Sequence, residues 1–165
     1  MLQSSTHADA EIHLWNSDGS KAEISANGTR CVAAYLSSTG KVVGSFTIAA
    51  DVGVKRMDLT ESNRPIFGYR IALGKPIFSD HLRETSFTVN EHTYSITSLN
   101  VGNPQCAVFA NDFDFDWCKV GALIEQSRDF PSGTNVSFVR VLGRNTVDVR
   151  FWERGAGATK SSGTG

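Results

Sequence analysis

An excess of basic residues is missing from this chain: 16 Lys and Arg stand against 17 Asp and Glu, a formal charge of −1. Nothing in that balance draws the protein onto a nucleic-acid backbone or an anionic lipid surface. Cysteine is scarce and odd in number, three in 165 residues. Cys31, Cys106 and Cys118 lack the tight spacing of a disulfide framework or a zinc knuckle, and buried, inert thiols are expected. No apolar run approaches the roughly 18 residues of a membrane span. The opening Met1-Leu2-Gln3-Ser4-Ser5-Thr6-His7 lacks the charged-then-apolar order of a secretion signal. His7, His13, His81 and His92 show no ligand spacing, so no metal site is expected. With 40% apolar and 20% charged residues the composition is that of a globular protein, and a cytoplasmic one is expected.

What is present is mostly strand. Ala10, Ile12 and Leu14 alternate with Glu11 and His13, predicting a half-buried strand near the start. Further strands are predicted at Phe46–Ala50, Val52–Leu59, Phe67–Leu73, Thr85–Val89, Thr93–Leu99, Ala107–Phe109, Val136–Leu142 and Thr146–Trp152. Asn27-Gly28-Thr29-Arg30 followed by an apolar run predicts a capped helix that stops near Gly40. Its apolar residues point to nearly every side, which predicts a central helix buried among strands. A shorter helix is predicted around Trp117–Ser127. Without βαβ regularity the class is α+β, with a break near Pro76 that separates 1–76 from 77–165.

Three local patterns fail on their own chemistry. Asp112, Asp114 and Asp116 resemble the front of a calcium loop, yet Trp117 and Leu123 stand where it needs Gly and Glu. Those aspartates are expected at a strand exit and a helix start. Gly155 through Ser161 has Thr159 where a phosphate loop needs Gly before its Lys. Asn27-Gly28-Thr29 and Asn135-Val136-Ser137 match the glycosylation sequon without a signal to route the chain outside the cell.

The Gly-, Ser- and Thr-rich stretch from Gly155 to Gly165 reads either as a flexible terminus or as a loop made to lead into a helix. Ser25-Ala26-Asn27-Gly28 and Ser162-Gly163-Thr164-Gly165 are compatible with one loop in two copies and with coincidence. Alone, four matched residue types favour coincidence.

Longer segments decide the matter. The stretch from Asn16 to Cys31 resembles the first active-site motif of diaminopimelate epimerases. Asn103-Pro104-Gln105-Cys106-Ala107-Val108-Phe109 resembles their Asn-Pro-His strand motif. Phe130 to Val139 and Trp152 to Thr159 resemble two more motifs, in the family's order, and Ser162 to Gly165 falls on the second catalytic loop.

The resemblance implies two pseudo-symmetric domains, each a mixed sheet wrapped around a central helix, with the active site between them. Family members are about two such domains long, so it also implies an internal stretch, incomplete at both ends. It implies inversion at the α-carbon of LL-diaminopimelate to the meso form by two opposed bases, without pyridoxal phosphate, metal or other cofactor. Diaminopimelate feeds lysine and peptidoglycan precursor synthesis. The implied partner is a small amino acid, with a homodimer as the candidate assembly.

By the same resemblance the catalytic positions are Ser25 and Ser162, both cysteine in the family, with Glu153 near the reacting centre and Gln105 in place of the motif's histidine. Asn16, Asn103 and Asn135 would contact the ammonium and carboxylate groups, and Arg154 would hold a carboxylate. Backbone amides at Asn27, Gly163 and Thr164 would cap the α-carboxylate, and the backbone at Ala26 would approach the substrate. Asn residues also populate turns, which is the other reading of Asn103 and Asn135.

The departures bear on chemistry. A hydroxyl is a far weaker acid than a thiol and acts as a base only beside an activating group. Gln can hydrogen-bond but cannot titrate. Ala26 replaces a glycine at a point of close backbone approach. The competing expectations are a catalytically impaired paralogue that keeps the ligand cradle, and a related enzyme of altered chemistry.

Overall fold

The computed structural model describes residues 1–16, 19, 21–89 and 91–165. Ser17, Asp18 and Ser20, which belong to the first family motif, lie outside the described residues, as does Asn90. The chain forms two compact units, Met1–Gly74 and Lys75–Gly165.

The first unit contains strands β1 (Leu2–Gln3), β2 (Ala10–Ile12), β3 (Leu14–Trp15) and β4 (Lys21–Ala22), then helix α1 (Ala26–Ser38). Strands β5 (Ser45–Ala50), β6 (Gly53–Asn63) and β7 (Ile66–Ile71) follow. Its sheet runs β1-β2-β5-β6-β7, with β2 and β5 parallel and the other neighbours antiparallel. Phe46 and Ile48 alternate inward on β5 and Met57 pairs with Phe46, so one face carries the core. Helix α1 covers that face with Ala33 and Leu36, and the Tyr69 hydroxyl pins it through hydrogen bonds with Ala33 O at 3.0 Å and Ser37 Oγ at 2.7 Å.

Helix α1 starts on Ser25, whose side chain accepts from the Gly28 amide. It ends on Gly40 at φ +71°, where the Lys41 amide reaches Leu36 O at 2.9 Å and the Gly40 amide reaches Ser37 O at 3.1 Å. Only glycine enters that left-handed position without strain. The buried residues Ala26, Thr29, Ala33 and Leu36 form one stripe at helical spacing. The expectation of burial on every side is therefore corrected: Cys31 and Tyr35 are exposed. The thiols are corrected with it, because only Cys106 is buried, while Cys118 is half-buried.

The alternation at Ala10, Ile12 and Leu14 also divides. Strand β2 ends at Ile12, the His13 amide turns to Met1 O at 3.0 Å, and Leu14 joins β3, which pairs with β4. Strand β6 outruns its expected end because Glu61, Ser62 and Asn63 continue the hairpin as exposed polar residues beyond a register shift after Leu59.

The second unit contains β8 (Ile77–Phe78), β9 (Thr85–Val89), β10 (His92–Asn100), β11 (Pro104–Phe109), helix α2 (Trp117–Glu125), β12 (Asn135–Gly143), β13 (Thr146–Glu153) and β14 (Gly157–Thr159). The sheet order is β14-β13-β12-β11-β10-β8, with β9 on β10. Strands β11 and β12 are parallel, and α2 lies on the crossover that a parallel pair requires. Asp116 caps α2 by accepting from the Lys119 amide at 3.0 Å, and Asp112 accepts from the Asp114 amide, so these acids shape a turn and a helix start. Ile96, Cys106, Val108, Val120, Ile124, Val136 and Phe138 form the core between α2 and one sheet face. The class is α+β.

Candidate active site

Ser25, Ala26, Asn27 and Asn16 lie in the first unit. Antiparallel pairing of Leu14 with Ala22 and Trp15 with Lys21 brackets the segment that begins at Asn16, whose carbonyl accepts from the Gly19 amide at 3.0 Å. Past β4 the chain reaches Ser25, a half-buried residue in extended conformation (φ −125°, ψ 112°). Ser25 Oγ accepts from the Gly28 amide at 3.0 Å, and Ser25 O accepts from Thr29 through both its amide and hydroxyl, each at 2.8 Å. This fixes the serine oxygen at the positive end of a 13-residue helix. Ala26 is buried, and Asn27 Oδ1 accepts from the Arg30 guanidinium. A Cβ at Gly28 would come within 3.2 Å of Ser25 Oγ, so a side chain there would crowd the hydroxyl.

Asn103, Gln105, Asn135, Glu153, Arg154, Ser162, Gly163 and Thr164 lie in the second unit. Parallel register sets Gln105 beside Asn135, and antiparallel register sets Val136 opposite Trp152. Asn135 therefore stands at the mouth of three strands. Its Nδ2 donates to Pro104 O at 3.0 Å and its Oδ1 accepts from the Arg154 amide at 3.0 Å. Asn135 does hold a turn, and the turn it holds is the one bearing Arg154.

Asn103 and Gln105 are both buried, at 7% and 4% exposure. Gln105 Nε2 donates to Asn103 Oδ1 at 3.0 Å and to Thr164 Oγ1 at 2.9 Å, and Asn103 Nδ2 reaches the same threonine oxygen at 3.3 Å. Asn103, in the bend just before β11, and Gln105, on β11, thereby anchor the second serine loop. Among the described residues Gln105 Oε1 is buried without a hydrogen-bond partner. In the loop itself, Ser162 Oγ accepts from the Gly165 amide at 3.1 Å.

The segment Trp152–Gly155 carries the charged pair. Glu153 O accepts from the Ala156 amide at 3.0 Å, closing a turn. Among the described residues the Glu153 carboxylate has no hydrogen-bond or ion partner, and its residue is half-buried. Arg154 Nη1 donates to Ser132 O at 3.0 Å. Glu125, which no motif singled out, accepts from Trp152 Nε1 at 2.6 Å and from the Gly155 amide at 3.1 Å. A carboxylate on the last residue of a helix is the one sequence signal that could have marked it, because the helix dipole disfavours an anion there.

Comparison with solved structures first gives the class. The fold is shared with a probable proline racemase from Agrobacterium radiobacter K84 solved with bound carbonate (TM-score 0.75, 14% identity, 95% of this chain and 54% of that one). It is shared too with a hydroxyproline epimerase from Agrobacterium vitis solved with bound trans-4-OH-L-proline (TM-score 0.77, 12% identity, 98% and 54%). The fold of this chain is thus one that these two proteins also have.

Sequence then narrows the class. A family model described as diaminopimelate epimerase matches residues 97–165. The diaminopimelate epimerase of Alkaliphilus metalliredigens (strain QYMF) is 33% identical over 177 aligned residues, covering 100% of this chain and 62% of that enzyme. The chain is similar along its whole length to diaminopimelate epimerases, and it spans less than two thirds of the length of the curated relatives it matches. No helix among the described residues is long and apolar enough to cross a membrane.

Proposed function

We propose that this chain carries both catalytic loops of a cofactor-independent epimerase that inverts the α-carbon of LL-diaminopimelate to the meso form, in the cytoplasm and as a homodimer. Residues 1–76 and 77–165 would each supply part of one epimerase-like domain. Ser25 and Ser162 are the proton-transfer pair: one oxygen takes the α-proton while the other hydroxyl returns a proton to the opposite face of the carbanion. The observation that carries this reading is the bond repeated at both serines, each Oγ accepting the amide three residues on, at 3.0 and 3.1 Å. An N–H donor aimed at the oxygen favours its anionic form and offsets part of the hydroxyl's poor acidity.

The remaining groups divide the substrate between them. Glu153 stands near the reacting centre with Gln105, and Arg154 takes a carboxylate. Asn16, Asn103 and Asn135 serve the ammonium and carboxylate groups, backbone amides at Asn27, Gly163 and Thr164 cap the α-carboxylate, and the backbone at Ala26 approaches the substrate.

The test is solvent isotope exchange. Incubating the chain with LL-diaminopimelate in D2O should place deuterium at the α-carbon and produce the meso isomer. Ligand binding without exchange would overturn the epimerase reading in favour of a binding protein that has lost proton transfer.

A further inference from the structure

Helix α2 ends on Glu125, where the summed peptide dipoles disfavour a carboxylate. Both of its oxygens are nevertheless engaged by one short segment of chain. Oε2 accepts from the Trp152 indole at 2.6 Å and Oε1 accepts from the Gly155 amide at 3.1 Å. Trp152 and Gly155 are the residues immediately before and after Glu153 and Arg154. A single carboxylate thus grips both ends of the segment that carries two side chains of the proposed site.

The packing around it leaves little slack. Gly121, one helical turn earlier on α2, has no space for a Cβ, which would meet Trp152 Cβ and Cγ at 2.8 Å. The helix backbone therefore lies directly on the indole. Gly133, at φ +69°, backs against the aliphatic part of Arg154, and a Cβ there would meet Arg154 Cδ at 2.9 Å. The Arg154 amide is held by Asn135 Oδ1 at 3.0 Å.

We propose that Glu125 is a positioning residue for the substrate site: by tethering Trp152 and Gly155 it sets the direction in which Glu153 and Arg154 leave the end of β13. This rests on the reading of Arg154 as a carboxylate-binding residue. It adds a residue that touches no substrate and acts only through its two donors. An ionised carboxylate accepts at both oxygens, whereas a carboxamide offers one acceptor oxygen and an NH2 group. Glu125→Gln, which conserves shape, therefore keeps at most one tether and releases the other. Glu125→Ala releases both.

The experiment is a pair of measurements on the full chain, with LL-diaminopimelate as the probe ligand. In nitrogen–proton correlation spectra, Glu125→Gln should move the Trp152 indole, Gly155 amide and Arg154 amide signals and leave those of α1 and β5–β7 in place. In calorimetric titration the same variant should weaken binding about tenfold, a typical loss for one charge-assisted tether, while its melting temperature stays close to that of the parent. Glu125→Ala should weaken binding further. Unmoved Gly155 and Arg154 signals would overturn the proposal, as would moved signals with unchanged affinity. If the parent chain binds no diaminopimelate, the reading of the site fails. The spectra then still decide whether Glu125 holds this segment.

Discussion

Ser25 and Ser162 share one local geometry: each side-chain oxygen accepts the backbone amide three residues ahead, from Gly28 at 3.0 Å and from Gly165 at 3.1 Å. In the first unit that bond is the N-cap of α1 and has a structural consequence separable from catalysis. Ser25→Ala should lower unfolding free energy by about 1 kcal/mol, the usual worth of such a cap. Ser25→Asp should retain most of it, because a carboxylate also accepts from the first-turn amides. Urea titrations of the two variants check this. Equal losses would mean that the bond contributes little to the helix.

The same two positions test the chemistry. A thiol is a much stronger acid than a hydroxyl and is further activated at a helix N-terminus. Ser25→Cys with Ser162→Cys should raise α-carbon deuterium incorporation by on the order of tenfold or more. Exchange no faster than in the parent would place the limit elsewhere, on Gln105 and Ala26.

Much of this architecture was legible in the sequence, and the exceptions have physical reasons. Strands as long as β10 and β12 carry enough β-branched and aromatic residues to be read, and α2 shows a helical stripe. Strands β1, β8 and β4 are two residues long, so they carry no period at all. For the proposed site, motif resemblance singles out the serines, Asn103, Asn135 and Arg154. Glu125 is not among them, because its donors come from a strand end 27 and 30 residues away and a helix-terminal Glu otherwise reads as surface charge.

The contact between Gly121 and Trp152 sets two principles against each other. Alanine is the better helix former by about 1 kcal/mol, yet its Cβ would sit 2.8 Å from two Trp152 carbons, closer than carbon atoms tolerate. Overpacking costs typically about 1–3 kcal/mol, so Gly121→Ala should destabilise the second unit on balance. Trp152 cannot move away without releasing Glu125. A denaturation midpoint raised by this substitution would show that the indole shifts freely.

The three thiols should separate by accessibility. Burial pushes the Cys106 thiol up to about 12, and the thiolate is the reactive form. An aromatic disulfide reagent at pH 8 should label exposed Cys31 first, half-buried Cys118 more slowly, and Cys106 only on unfolding. A pH dependence follows from the same shift. The folded state holds the Cys106 proton at pH values where the unfolded chain, near the ordinary 9.0, has released it. Stability should therefore be unaffected by this group below pH 9 and fall as pH rises from 9 toward 12. Cys106→Ala should flatten that alkaline slope while lowering stability at pH 7 through lost packing.

The sheet face of the second unit opposite α2 makes the last prediction. Strand register places Ala107, Ser137 and Val139 on that face, and Val147 and Val149 continue it along β13. They line, with Leu99, Gln105 and Thr164, a cavity of about 270 Å³. Val147 is 55% exposed and Val141 63%. A contiguous apolar face of this kind drives association when nothing covers it, so the 165 residues alone should bind an apolar fluorescent dye in the folded state and self-associate as concentration rises. Replacing Val147 with Lys should reduce both effects. It should cost little stability, because that side chain is already more than half in water. Sedimentation across a concentration series measures the association directly. A monodisperse, dye-negative chain would mean that these valines are covered in solution.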